Sequence, residues 1–315
     1  MMLDHALIQV PCPICGADSP RRLAEEGPLG IVECGGCHLV YVNPRRREPQ
    51  AHYHGEREIV IRKYGPILRG ERAHNRDPNY QQELGVLRRL KPSGQLLDVG
   101  THCGFFLRMA RGMGWTLTGV EPSPVGAQLA REFYGLNVVN ASVEGAGFPD
   151  RSFDVVTLVD VFEHVDQPLE LLAEVRRVLR DDGLLFVKVP NGRYSLFKYQ
   201  LIRQLLRVRE VEIFDAKEHV VHYTAETLAA TLGASGFRLK LAFVPLPIQD
   251  GPWWKCALRS VAYRLARARH ALGGGFGPLA TDIAMVAEKT RVESTLRGAG
   301  PPTCTAAWST TDDGR

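Results

Sequence analysis

The sequence is poor in the features that would take it out of the ordinary globular class. No run approaches the roughly 20 consecutive apolar residues of a membrane span. The amino terminus, MMLDHALIQVPCPIC, carries Asp4 and no basic stretch leading into an apolar one, so no secretory leader is expected there. Charge of one sign is scarce: 39 basic against 35 acidic side chains leave a formal +4, too little to argue by itself for a nucleic-acid partner. There are only 7 cysteines in 315 residues, and the paired spacing of four of them suits metal ligation better than a disulfide framework. The remaining composition, 44% hydrophobic and 23% charged, is that of a soluble chain with one large core and a small appendage. The cytoplasm is the expected compartment.

The most informative stretch is Gln95 to Glu121, QLLDVGTHCGFFLRMARGMGWTLTGVE. Leu96, Leu97 and Val99 form a short apolar run, Phe105 to Met113 has a helical pattern, and Thr116 to Val120 is a second β-rich run, which together spell strand, glycine turn, helix, strand. In a parallel βαβ unit the first turn sits at the carboxyl edge of the sheet. Gly100 and Gly104 there let a nucleotide-like ligand approach the main chain and a helix N-terminus. Glu121, roughly 20 residues on, is placed to accept from ribose hydroxyls. A dinucleotide site would show GxGxxG after apolar residues; here Asp98 precedes the loop and His102 takes the middle position. If that position requires φ > 0, histidine costs about 1–2 kcal/mol there.

DVGTHCGFFL resembles motif I of class I S-adenosylmethionine (SAM) methyltransferases, DxGxGxG followed by an apolar helix. Residues 137–191 are similar to the middle of the same family: a SFD strand, an EHV turn, a helix ending RVLxxxG and a strand ending VPN. The fold this implies is α/β, a Rossmann-like sheet of seven mostly parallel strands. The resemblance carries cofactor contacts onto Asp98, Gly100, Thr101, Gly104, Glu121, Ser142, Val143 and Asp160. Ser142 stands where many members have an acid for the adenine amino group, which leaves the Val143 backbone amide for the ring.

Cys12, Cys15, Cys34 and Cys37 form CPIC and CGGC. Two such knuckles present four thiolates to one tetrahedral, closed and therefore structural zinc; four unrelated reduced cysteines or a redox pair are the alternatives. Ile31 to Val42 would supply a ribbon strand. Similar ribbons precede the catalytic domain in a group of bacterial SAM methyltransferases. The expected organisation is a zinc ribbon over 1–44, a linker and cap over 45–90, the methyltransferase domain over 91–289 with insertions at 192–223 and 245–280, and a disordered tail over 290–315. Within the linker, His52, Tyr53, His54 and Tyr64 are candidate ligand contacts or exposed aromatics.

Phe153 to Val159 reads as a buried parallel strand that delivers Asp160, Glu163 and His164 to the active edge. DVFEH is similar to the ExxEH of ubiquinone-biosynthesis O-methyltransferases, which implies a candidate Mg²⁺ site on these three residues. His164 is otherwise a general base or a structural hydrogen-bonding residue. DAKEHVVHYT resembles the family's EHxxxYT, so His219 and His222 are further candidate bases or structural histidines. Tyr199 to Val208 and Trp253 to Leu272 read as basic amphipathic helices; the second is either a lid with a solvated basic face or a contact with an anionic membrane, a glycolipid or an acidic substrate.

The implied activity is transfer of a methyl group from SAM to a small-molecule acceptor, foremost a sugar, glycolipid or secondary-metabolite hydroxyl. Sugar C-methylation and a non-catalytic SAM-binding, zinc-ribbon interaction protein are the rivals. No [DNS]PPY follows the fourth strand, so nucleic acid is not an expected substrate.

Overall fold

A computed structural model describes residues 7–47, 57–206 and 211–290, the side chains of the second span as far as residue 204. His52, Tyr53, His54, the end of the predicted 199–208 helix and the tail beyond 290 lie outside the described residues.

The amino-terminal part contains β1 (Leu7–Ile8), β2 (Pro20–Glu26), β3 (Leu29–Cys34), β4 (Val40–Val42) and β5 (Arg45–Arg46), followed by α1 (Arg57–Leu68) and α2 (Asp77–Leu90). Then come β6 (Gly94–Val99), α3 (Phe105–Ala110), β7 (Trp115–Val120), α4 (Pro124–Tyr134), β8 (Val138–Val139), β9 (Phe153–Val159), α5 (Pro168–Val178) and β10 (Leu179–Pro190). The last third holds α6 (Gly192–Leu206), β11 (Val221–His222), α7 (Ala225–Ala234), β12 (Phe237–Phe243), α8 (Trp253–Ala271) and β13 (Asp282–Lys289).

Seven strands form one sheet in the order β12-β13-β10-β9-β6-β7-β8. Only β13 runs antiparallel to its neighbours, as the seven-stranded expectation requires. Successive residues alternate between the two faces: Leu97 and Val156, paired across β6 and β9, join a core with Leu171, Leu172 and Val175 of α5 and Leu228 of α7, whereas Leu96 and Val155 join one with Leu84 of α2, Phe106 of α3 and Leu129 of α4. The result is helices over both faces of a buried sheet.

Capping residues set the helices that flank the site. Ser123 accepts the Gly126 amide at the start of α4, with Pro124 at its first position. Thr224 and Thr227 close a capping box on α7.

One region differs from the sequence pattern: residues 45–90, expected as a linker and cap, hold the helices α1 and α2. The pattern hides α1 because it buries only Gly65, Ile67 and Leu68 and contains Pro66. The segment that carries His219 and His222 ends in the short strand β11.

That strand joins a second sheet, β11-β4-β3-β2, with Val221 opposite Tyr41 and His222 opposite Val40. The cysteine-bearing hairpins are therefore continuous with the stretch after β10. Ala24, Ile31, Val40 and Val42 of this sheet pack with Tyr199 of α6 and Phe214.

Candidate active site

Strands β6, β7, β9 and β10 all end at one edge, and their terminal residues form the site. After β6 the chain turns through Gly100 (φ 70°), His102 (φ 49°) and Gly104 (φ 82°), so the middle position does require the left-handed backbone and His102 adopts it. A Cβ on Gly100 would lie 2.5 Å from Val161 Cγ2, which holds that position to glycine. The His102 ring is seated against Tyr64 of α1, centroids 5.3 Å apart, and Phe105. Burial, with a further push from Lys63, lowers its pKa to about 4.

Glu121 ties the turn down. Its Oε2 accepts the His102 amide at 2.7 Å and its Oε1 the Ser123 amide at 2.8 Å, coupling the loop after β6 to the start of α4. Asp98 is buried beside it and accepts from the Thr157 hydroxyl at 2.6 Å. Burial pushes Asp98 up to about 7, opposed by the hydroxyls of Thr157 and Thr101. Val143 is buried, and Ser142 is exposed with its Oγ accepting from Gly145. Two carboxyl groups, Asp98 and Glu121, thus flank a left-handed turn at the carboxyl edge of the sheet.

Asp160 enters a charged network. Lys188, almost wholly buried in β10, donates to both of its oxygens at 2.8 and 3.1 Å, and Arg76, at the N-cap of α2, pairs with it too. Asp282 lies 3.8 Å from the same ammonium. Lys188 and Arg76 were not among the predicted residues. A lone lysine in the apolar run LLFVKVP was the available signal, because a buried ammonium needs a carboxylate partner.

The second half of the DVFEH segment is positioned differently. Glu163 and His164 sit in a 3₁₀ turn, Phe162–His164, and Glu163 O accepts the Val220 amide. This brings His219 alongside, with its ring 4.6 Å from that of His164 at 76°. His164 Nδ1 lies 3.0 Å from Glu218 O. One ligand atom each from Glu163, His164 and His219 lie within 4.8 Å of one another. The predicted trio of Asp160, Glu163 and His164 is thus not the group that the geometry gathers: Asp160 faces Lys188 and Arg76, and His219 takes its place. Glu163 is 2% exposed with Oε2 unpartnered, and burial pushes it up to about 7. Burial, followed by the nearby His164 and His222, lowers His219 to about 2. His222 is buried, its pKa lowered by burial to about 4, and its Nε2 has no partner; its centroid lies 6.4 Å from that of His219.

The four predicted zinc ligands converge. Cys12 and Cys37 sulfurs are 3.5 Å apart, Cys15 and Cys34 sulfurs 3.4 Å, and all four lie within 4.8 Å of one another. Four sulfurs about 2.3 Å from one ion would stand about 3.8 Å apart, so the cluster fits a tetrahedral zinc. The Gly36 amide pointing at Cys34 Sγ, 3.3 Å away, is the knuckle contact expected of a thiolate.

The methyltransferase-domain family matches residues 72–241, more than half of the chain and the whole span from Arg76 to His222. The chain belongs to that family. Among curated relatives, a ubiquinone biosynthesis O-methyltransferase of Glaesserella parasuis is 24% identical over 161 residues, 41% of this chain and 68% of that protein. A 2-methyl-6-phytyl-1,4-hydroquinone methyltransferase of Synechocystis is 31% identical over 165 residues, 49% of each chain. The chain thus spans about two thirds of the first relative and half of the second. In architecture it resembles a chain of the solved complex between the Haloferax volcanii Trm112 methyltransferase activator and a methyltransferase, with a TM-score of 0.52 at 16% identity over 78% of this chain and 99% of that one. This methyltransferase fold puts the Gly100–Gly104 turn and the histidine cluster on the same sheet edge.

Proposed function

We propose that the protein transfers a methyl group from SAM to a hydroxyl of a small molecule, of the sugar, glycolipid or quinol kind. The observation that carries the reading is the Glu163–His164–His219 cluster, seated at the end of the strand adjacent to the one bearing the glycine turn. SAM, when bound, supplies a methyl group on a sulfonium that is already an activated leaving group. What is left for the protein is alignment and the removal of one proton.

The backbone of 100–104, Asp98 and Glu121 would hold the adenosyl and methionine parts. His164 or His219 would take the hydroxyl proton on its ring, with an ionised Glu163 facing the imidazolium that results and offsetting the burial that disfavours a charged His219. His164, anchored through Nδ1, orients the pair. A divalent ion on the same three side chains would serve the hydroxyl instead by lowering its pKa; one carboxylate with two imidazoles suits a borderline metal such as zinc better than Mg²⁺.

Calorimetric titration with SAM and S-adenosylhomocysteine, followed by a methyl-transfer assay on hydroxyl acceptors, tests the reading. Binding of both with turnover is the expected result. Failure to bind either would leave a non-catalytic ribbon protein.

A further inference from the structure

Helix α8 presents its apolar stripe the wrong way round for a core helix. It packs on the body through Tyr263, Ala266 and His270: Ala266 is 1% exposed, Tyr263 abuts the core, and His270 Nε2 lies 3.0 Å from Ala242 O. On the opposite side Trp254, Leu258, Val261, Leu265 and Leu272 recur at spacings of four and three and line a single face. These five and Trp253 are each 52–88% exposed. Covering a row of this size with water is unfavourable, and such contiguous patches mark contact surfaces.

Three observations select the occupant. The first is charge: Lys255, Arg264, Arg267 and Arg269 are exposed along the helix, and its sequence WWKCALRSVAYRLARARHA has no acid. Arg259, the remaining cation, turns back to the Ile248 and Asp250 carbonyls. The second is the tryptophan pair at one end, with Lys255 over the Trp254 ring at 5.3 Å, a combination suited to the headgroup zone of a bilayer. The third is place. Phe243, which leads into this connection, pairs with Ala284, and Asp282, which leaves it, pairs with Pro190, so the connection that carries α8 begins and ends at the edge of the sheet where the candidate site lies. Helix α6, leaving that edge after Asn191, also exposes Phe197 and Leu201.

We infer that α8 is an interfacial helix that lies on an anionic lipid surface and seats the active edge of the sheet against it. At 19 residues it is about 28 Å long. No helix among the described residues is long and apolar enough to cross a membrane, so α8 lies along the surface. Taken with the proposed methyl transfer, on which this clause rests, the acceptor is a molecule that partitions into lipid and presents its hydroxyl at the headgroup level.

The test is flotation of the full chain with vesicles of phosphatidylcholine alone and of phosphatidylcholine with phosphatidylglycerol, at low and high salt, alongside tryptophan emission. The expected result is flotation with the anionic vesicles, weakened by salt, with an emission blue shift from Trp253 and Trp254. Leu258→Glu combined with Leu265→Glu should weaken binding by about tenfold or more. Both side chains point to solvent, so the variant should keep its thermal midpoint and its SAM affinity. Absence of flotation at low salt, or flotation unchanged in the double variant, overturns the proposal. So does a lipid-free dimer that the double variant breaks, which would make a second copy the occupant. A chain that binds SAM but does not float fails here alone; one that floats but binds no SAM fails as a methyltransferase and leaves the lipid contact standing.

Discussion

Glu26, at the end of the second ribbon strand, accepts the backbone amide of Phe214 at 2.5 Å, from 188 residues further along the chain. The same carboxylate also takes the Ile213 amide and, at 2.9 Å, the Ala216 amide. One buried side chain thereby fixes the segment that leads into His219 and His222. Glu26→Ala leaves three amides without their acceptor and should lower stability by about 3 kcal/mol, measured by denaturant titration. A change below about 1 kcal/mol would mean that water replaces the latch.

Cys34→Ser should abolish zinc binding, read as metal per chain by mass spectrometry, and lower the thermal midpoint. Structural zinc sites contribute folding energy directly, and Cys12, Cys34 and Cys37 share one core with Leu158 and Phe162. Unchanged metal content would refute the site.

Glu121→Ala should weaken SAM binding by about tenfold or more, since it removes both the proposed ribose acceptor and the partner of the His102 amide. Calorimetry gives the affinity directly. Equal affinity in parent and variant would move the adenosyl site away from this turn.

His219→Ala and Glu163→Gln should each cut turnover by about 10²–10⁴ while SAM affinity stays within a few-fold. Single-turnover methyl transfer separates the two effects. A loss confined to SAM binding would remove both residues from proton transfer.

Glu83 gives a prediction in pH. It is wholly buried in α2, neither oxygen has a partner, and burial raises it from 4.5 to about 7, offset in part by Lys188. A raised folded pKa means that this group's stabilising contribution is complete below pH 4.5 and is lost as pH rises through 7. Glu83→Gln, which cannot ionise, should flatten the fall in stability between about pH 4.5 and about 7, by on the order of 3 kcal/mol at the alkaline end. Parallel pH profiles in parent and variant would show that Glu83 stays neutral throughout.

The sequence was most legible where local and global signals agreed. Phe153–Val159 is a strand because nearly all of it is buried. The cysteine spacing carried the four-sulfur cluster in the same direct way. Legibility failed where a residue's role depends on a distant partner. Nothing local announces that Lys188 will be met by Arg76's partner Asp160, or that His219 will be carried to Glu163 by a strand that pairs with β4. Helix α1 escaped because its apolar side is short and broken by a proline.

The pairing of β11 with β4 also sets a limit on how the protein can be cut. A chain trimmed to begin after residue 44 would lose the strand to which Val221 and His222 are bonded, and would leave their backbone groups and the apolar side of Tyr199 and Phe214 in water. The small amino-terminal piece is thus bonded to the segment that carries His219 and His222, and heat or denaturant should dismantle the two together in one transition.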